Sequence, residues 1–371
     1  MAKLKLTTIL GTRPEIIRLS ETIKRADQHF DHELVHTGQN YDHTLSKIFF
    51  EGLGLRDPDH YLGVAGPDIG ETVGNIISST YKLLQSTMPD AVLILGDTNS
   101  ALAAIPAKRL KIPVFHMEAG NRCFDENLPE ELNRRMVDHI SDVNLAYSEN
   151  ARRNLLREGR DPAYTFVTGS PMREVLDKNV TGSDVLAQLD LTPHKYIVLS
   201  AHREENLDIP ENFGALVESI NGLAERYEMP VLYSVHPRTA KRIESSGAEL
   251  HRLVTMHEPF GFADYITLQQ NSFCVVSDSG TLAEESAILG FPAVSARTST
   301  ERQEAAERGG FVLGGIGFRS ISQAVELAVA HNDGPVAIPD YDEAECSKRV
   351  VHIIQSYTEV INRMVWRKPG A

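Results

Sequence analysis

The chain has 371 residues, 42% hydrophobic and 7% aromatic, more than a single hydrophobic core usually organises, so two domains are expected. Lys+Arg 37 against Asp+Glu 51 gives a net charge of -14, which excludes the basic surface of a nucleic-acid binder and requires a local basic pocket for any anionic ligand. No stretch reaches the roughly 18 uninterrupted apolar residues of a membrane span, the start "MAKLKLTTILGTRPE" lacks the apolar run of a signal peptide, and the scattered Cys123, Cys274 and Cys346 fit free thiols, so the expectation is a cytoplasmic protein without membrane insertion.

In chain order, "LKLTTIL" predicts a strand and "PEIIRLSETIKRA" a helix. "HELVHTG" falls where the second strand belongs. Its H-E-x-x-H spacing holds zinc only on a helix, so His32 and His36 predict no metal site. "ETVGNIISSTYKLLQ" places Val73, Ile76, Ile77, Thr80, Tyr81 and Leu84 at helical spacing, and "DAVLILGD" is the continuous apolar run of a strand buried on both faces. "IPVFHMEAG" and "LPEELNRRMVDHIS" repeat the strand-then-helix rhythm. A polar pause at residues 177–194 marks a boundary. "KYIVLSAHREEN", "PVLYSVHP", "SFCVVSDSG" and "PAVSARTS" then rebuild the pattern, and "CSKRVVHIIQSYTEVINRMVWRK" is an amphipathic helix suited to crossing back. The expected fold is α/β: two Rossmann-like, doubly wound domains, 1–180 and 181–350, facing a cleft, with 351–371 returning to the first.

Conspicuous polar residues stand where apolar strands end: Arg13, Asp97, Glu118, His202 and Ser279. Ligands of open parallel sheets bind beyond those ends. "GTRPEIIR" sets a turn at Gly11 and Pro14 at a first helical position, leaving free N–H groups beside Arg13, as a diphosphate needs; a plain turn with a surface arginine reads equally well. "SDSGTLAEESA" places Ser279, Gly280 and Thr281 at a helix start, where Thr281 and Glu284 also spell a capping box. In "LPEELNRRMVDH", Asn127 reads as a cap and Glu130–Arg134 and Glu131–Arg135 as i,i+4 pairs. Asp97 and Glu118 resist a structural explanation, because an unpaired buried carboxylate is costly, and they suit acid/base chemistry. Neither G-x-G-x-x-G nor G-x-x-x-x-G-K-[ST] occurs, so no dinucleotide cofactor is expected.

Taken in order, "GTRPEIIR", "GDTNS", "HMEAGNR", "PEELNR", "AHREEN", "SDSGTLAEE" and "RTSTER" resemble the non-hydrolysing UDP-N-acetylglucosamine 2-epimerase family, from about Leu4 to the C-terminal helix. "GNRCFDENLPEE" and "TGQNYDHTLSKIFF" look most like the branch that forms UDP-N-acetyl-L-fucosamine from the 6-deoxy-L-talo sugar. The resemblance implies a glycosyltransferase-B-like fold, a UDP-sugar in the cleft, no cofactor or metal, a homodimer, and a place in surface polysaccharide synthesis. It also implies elimination of UDP to a 2-acetamidoglycal and re-addition of UDP with a proton from the other face. By motif, Asp97, Glu118 and Glu130 become the acid/base candidates, with His202 and Arg13 serving the diphosphate. Arg18, Asn121, Arg122 and His236 join the substrate contacts, Tyr265 stacks on uracil, Ser279, Gly280 and Thr281 take phosphate oxygens, and Glu285 takes the ribose. The chain departs from the family pattern at Arg18, where lysine is usual, at "GQNYD", which replaces the "GQH" of a regulatory UDP-sugar site, and at Thr281, which replaces a glycine. A glycosyltransferase or a UDP-sugar sensor of the same architecture stays open on these residues.

Overall fold

A computed structural model describes residues 3–39, 43–180, 182–235 and 237–369; Asn40, Tyr41 and Asp42 of the "GQNYD" variation and the candidate His236 lie outside them. The chain forms two compact units, Met1–Asn179 with Asp340–Ala371, and Val180–Pro339.

The first unit is built on a parallel sheet of β1 (Lys5–Leu10), β2 (Asp31–His36), β3 (His60–Tyr61), β4 (Ala91–Leu95), β5 (Val114–Met117), β6 (Val143–Ala146) and β7 (Thr165–Val167), in the order β3-β2-β1-β4-β5-β6-β7. Helices cover both faces, which is why every residue of the run AVLIL in β4 is buried. Helix Arg13–His29 begins with Pro14 in its first turn and buries Ile16, Leu19, Ile23 and Ala26, the spacing of one helical face. Helix Ile69–Thr87 starts at Asp68, whose side chain accepts from the Glu71 amide at 2.8 Å. Its buried row is Thr72, Ile76, Thr80 and Leu84, an i,i+4 ridge against the sheet. The expected stripe is therefore rotated: Val73 and Ile77 are half-buried and Tyr81 is 38% exposed.

The first unit takes the chain back at Asp340, ahead of the expected residue 351. The reason is a set of polar ties before and at the start of the last helix, Cys346–Met364. The Asp340 carbonyl accepts from the Ser170 amide at 2.9 Å, its carboxylate accepts from the Glu149 amide at 2.9 Å, and Arg173 meets Asp342 at 2.8 Å. Buried Glu174 accepts from the amide and hydroxyl of Ser347 at 2.8 and 2.7 Å.

The second unit repeats the plan with β8 (Ile197–Ser200), β9 (Val231–Ser234), β10 (Val254–His257), β11 (Cys274–Ser277), β12 (Ala293–Ser295) and β13 (Val312–Leu313), all parallel, in the order β10-β9-β8-β11-β12-β13. Its core joins Ile197, Leu199, Val231, Tyr233, Cys274 and Val276 to Phe213, Leu216, Ile220 and Leu223 of helix Pro210–Tyr227. In each sheet the winding reverses beside the first strand, between β1 and β4 and between β8 and β11. Such reversals leave a crevice at the carboxyl ends, which is where the candidate residues stand. No described helix is long and apolar enough to cross a membrane.

Candidate active site

The loop after β1 is shaped by close approach. A Cβ on Gly11 would lie 2.0 Å from Thr37 Oγ1 and 2.1 Å from Ser100 Oγ, two hydroxyls hydrogen-bonded to each other at 2.7 Å. Glycine is thus dictated by the crossing of three loops. Just beyond it, buried Glu15 accepts from the Gly11 amide at 3.0 Å, Thr12 Oγ1 at 2.8 Å and Thr98 Oγ1 at 3.1 Å. Burial pushes its carboxyl up to about 7, and the three donors pull the other way. Arg13 opens the helix half-buried, its guanidinium 5.4 Å from the centre of the Phe49 ring.

Two of the expected carboxylates follow adjacent strands, and each carries a guanidinium. Glu118, after β5, is 7% exposed, pairs with Arg18 and accepts from Asn121 Nδ2 at 3.3 Å. Asp97, after β4, accepts on one oxygen from Nε and Nη2 of Arg134 at 2.9 and 2.5 Å. Arg134 also reaches buried Glu131 at 3.1 Å, and Glu131 accepts from the amides of Cys123 and Phe124 at 3.1 and 3.2 Å. Helix Pro129–Ile140 is therefore entered without the expected Asn127 cap. Leu128 occupies that position, and Asn127 turns to Asp125, because Glu131 already supplies the acceptors that order the loop. Glu130 stands half-buried in the first turn. The pair of Glu131 and Arg135 forms at 3.2 Å.

Arg122 is a correction. It is 0% exposed, grips Glu158 through Nε and Nη2 at 2.8 and 2.6 Å, and binds Asp138 and the Asn121 carbonyl, each at 2.7 Å. Its guanidinium thus braces the loop from inside and is not presented to a ligand. Burial raises the Asp138 carboxyl, but its contacts with His116 and Arg122 outweigh that and hold it below the usual carboxylate range. Cys123 is half-buried with its thiol donating to Glu131 at 3.2 Å, whereas Phe124 is 57% exposed.

In the second unit the loops after β8 and β11 meet on Asp278. This fully buried carboxylate accepts from the amides of His202 and Arg203 at 2.8 and 2.9 Å and from Asn206 Nδ2 at 3.0 Å, with His202 Nδ1 at 3.3 Å. The His202 ring is left exposed. The capping box expected of Thr281 and Glu284 does not form. Thr281 Oγ1 bonds Ser279 Oγ at 3.0 Å, and Glu284 is buried against Arg302 at 3.2 Å, because a guanidinium is the stronger partner for a buried carboxylate. Gly280 sits where a Cβ would come 2.9 Å from Glu301 Oε1. Glu285 is buried and accepts from Gln269 at 2.8 Å, and Tyr265 is half-buried on helix Phe262–Gln270. Among the described residues no group of three or more His, Cys, Asp or Glu side chains is placed to hold a metal ion. His32 and His36 lie in β2, His32 between Asp27 and Thr8 and His36 stacked on Tyr61.

The family model of UDP-N-acetylglucosamine 2-epimerase matches residues 22–355. The chain belongs to this family. It is similar to the UDP-N-acetylglucosamine 2-epimerase structure from Rickettsia bellii, with 43% identity, TM-score 0.90, and 99% of this chain and 100% of the other covered. It is also similar to the Methanocaldococcus jannaschii enzyme, at 37% identity over 87% of this chain and 92% of the relative. That enzyme's structure in complex with UDP-GlcNAc and UDP superposes with TM-score 0.90 at 35% identity, over 95% of this chain and 100% of the other. A Pseudomonas aeruginosa UDP-2,3-diacetamido-2,3-dideoxy-D-glucuronate 2-epimerase is 33% identical over 95% of this chain and 99% of its own length. The two parallel sheets are those of the glycosyltransferase-B-like epimerases.

Within this epimerase scaffold, sequence patterns did not single out Glu15, Asp138, Glu158 or Asp278, whose partners come from distant segments. Only the proximity of Glu15 to "GTR" offered a signal. Glu15 yields a pH test. Folded, its carboxyl titrates near 7 and, unfolded, near 4.5. Its contribution to stability is therefore full below pH 4.5 and is lost as pH rises to about 7, by on the order of 3 kcal/mol. Urea unfolding of wild type and Glu15→Gln across that window should show wild-type stability falling relative to the variant. Parallel profiles would contradict the assignment.

Proposed function

We propose that this chain inverts C2 of a UDP-2-acetamido sugar by eliminating UDP and adding it back with a proton delivered to the opposite face of C2. In the first step a carboxylate takes the C2 proton, the C1–O bond to UDP breaks, and a C1=C2 glycal remains. In the second, UDP re-forms the bond at C1 while C2 is protonated from the opposite face. The observation that carries this reading is the pair Asp97 and Glu118 on neighbouring strand ends, each charge-paired with an arginine, beside Glu130 in the helix entry. Two faces of one carbon need two separately positioned proton carriers, and guanidinium groups hold carboxylates in a fixed orientation. Arg13 and Arg18 favour the departing diphosphate. In the second unit His202, Ser279, Gly280 and Thr281 serve the phosphates, Glu285 the ribose and Tyr265 the uracil. Asp97→Asn, Glu118→Gln and Glu130→Gln should each lower C2 deuterium incorporation in D₂O by about a hundredfold, with UDP affinity nearly kept. Incorporation close to wild type in any one variant removes that residue. A glycosyltransferase or a sensor would label no C2 at all.

For the substrate, we infer the 6-deoxy pair UDP-2-acetamido-2,6-dideoxy-L-talose and UDP-N-acetyl-L-fucosamine. Support comes from the loop between Glu118 and Glu130, where Phe124 holds a left-handed backbone, φ 58°, and presents an apolar ring to solvent. Such a ring suits a 6-methyl group, and a 6-hydroxyl buried against it without a partner would lose about 1 to 3 kcal/mol. The rival pair is UDP-GlcNAc and UDP-ManNAc, favoured by the UDP-GlcNAc in the M. jannaschii complex. Comparing kcat/KM for both pairs, without a second nucleotide sugar, should favour the 6-deoxy pair. Equal values, or preference for UDP-GlcNAc, select the rival.

We also infer a homodimer that uses the face of helix Ile69–Thr87. Ile69 is 66% exposed there, and Ile77, Tyr81, Ile105, Pro106 and Arg109 line a hollow of about 380 Å³. Exposed apolar surface of this kind favours association. Sedimentation should give a dimer for wild type and a monomer for Tyr81→Asp; a monomeric wild type would refute the assignment.

A further inference from the structure

His116 lies in β5 opposite Ile94 of β4, fully buried, and takes no part in the chemistry outlined above. Its Nε2 is 2.7 Å from the Gly96 carbonyl oxygen. A carbonyl only accepts, so Nε2 donates. On the other side Nδ1 lies 2.9 Å from Asp138 Oδ1, a close approach whose angle falls short of a hydrogen bond, and neither atom has a hydrogen-bond partner among the described residues. The second Asp138 oxygen accepts from Arg122 at 2.7 Å and from the Gly120 amide at 3.1 Å. Gly96 precedes Asp97, and Gly120 follows Glu118 by two residues. Both glycines are left-handed, φ 72° and 86°, and a Cβ on Gly120 would lie 2.2 Å from the Ala151 carbonyl oxygen. Glu118 itself has φ 65°, an uncommon conformation for a residue with a side chain, which persists only where its surroundings impose it.

We propose that His116, set between the Gly96 carbonyl and the Asp138 carboxylate, is a positioning residue that ties the Asp97 loop to the Glu118 loop and fixes the separation of the two carboxylates. The tie runs from the Gly96 carbonyl through the ring to Asp138 and on to the Gly120 amide. It continues through Arg122, whose guanidinium lies between the carboxylates of Asp138 and Glu158 and so offsets the cost of their burial. Small losses of alignment at reacting groups are expensive: about 1 Å of misplacement costs on the order of a hundredfold in rate.

The proposal rests on the epimerase reading, and the test separates the two. In wild type with ¹⁵N-labelled histidine, the resonance lost in His116→Gln should report a protonated Nε2, as its bond to the Gly96 carbonyl requires. A bare Nε2 would overturn the tie to Gly96. In D₂O, His116→Gln should incorporate deuterium at C2 about ten- to a hundredfold more slowly in kcat, with KM and the UDP dissociation constant within about twofold of wild type. A merely structural role would instead reduce the UDP-binding fraction and melting temperature together with activity. Should His116→Gln not bind UDP, Asp138→Asn, of the same shape, carries the kinetic test with the same expectation. Wild-type kcat in a variant that binds UDP overturns the positioning role. Absence of C2 exchange in wild type sinks the epimerase reading and the positioning role with it, and the spectrum still decides the state of the ring.

Discussion

A carboxylate removed from water is tolerated only with a cation or several donors beside it, and this chain, with its excess of acidic residues, meets that constraint repeatedly at the carboxyl ends of its strands. Glu118 has Arg18, Asp97 and Glu131 share Arg134, Asp138 and Glu158 share Arg122, Glu284 has Arg302, and Glu301 has Arg297. Glu15 and Asp278 are held by amides, hydroxyls and an amide side chain. Each pairing draws one loop to another, so the geometry of the candidate site follows from charge neutralisation as much as from the sheets beneath it.

The division of labour between apolar and polar order is visible in the loops. The strands bring Gly11, Gly96 and Glu118 to one edge because continuous apolar runs bury on both faces. Where the strands stop, close approach takes over. Thr37 and Ser100 leave no room for a side chain at residue 11, and Glu118 Oε2 would stand 3.3 Å from a Cβ at residue 96.

The doubly wound sheets were legible in the sequence because hydrophobic runs and helical spacing are local signals. So were Asp97 and Glu118 as strand-end carboxylates, since each interrupts an apolar context. Arg122 was misplaced: nothing in "GNR" tells whether a guanidinium turns outward to a ligand or inward to Asp138 and Glu158, which lie 16 and 36 residues away. The Thr281 cap failed for the same reason, because Arg302 is distant in sequence and captures Glu284. The stripe on helix Ile69–Thr87 was rotated because Val73 packs only at the margin of the core and Ile77 and Tyr81 are apolar without being fully buried.

The return of the chain at Asp340 has a bearing on how the protein is made. The second unit is an insertion within the first, so on a ribosome Val180–Pro339 is complete before the segment that finishes the first unit has been synthesised. Until then Glu174 awaits Ser347, the Ser170 amide awaits the Asp340 carbonyl, and the groove that receives Val350, Ile354 and Ile361 stands open. The nascent first unit thus exposes an unfilled apolar seam through the whole synthesis of the second. That interval is when it is most exposed to aggregation and most in need of a chaperone.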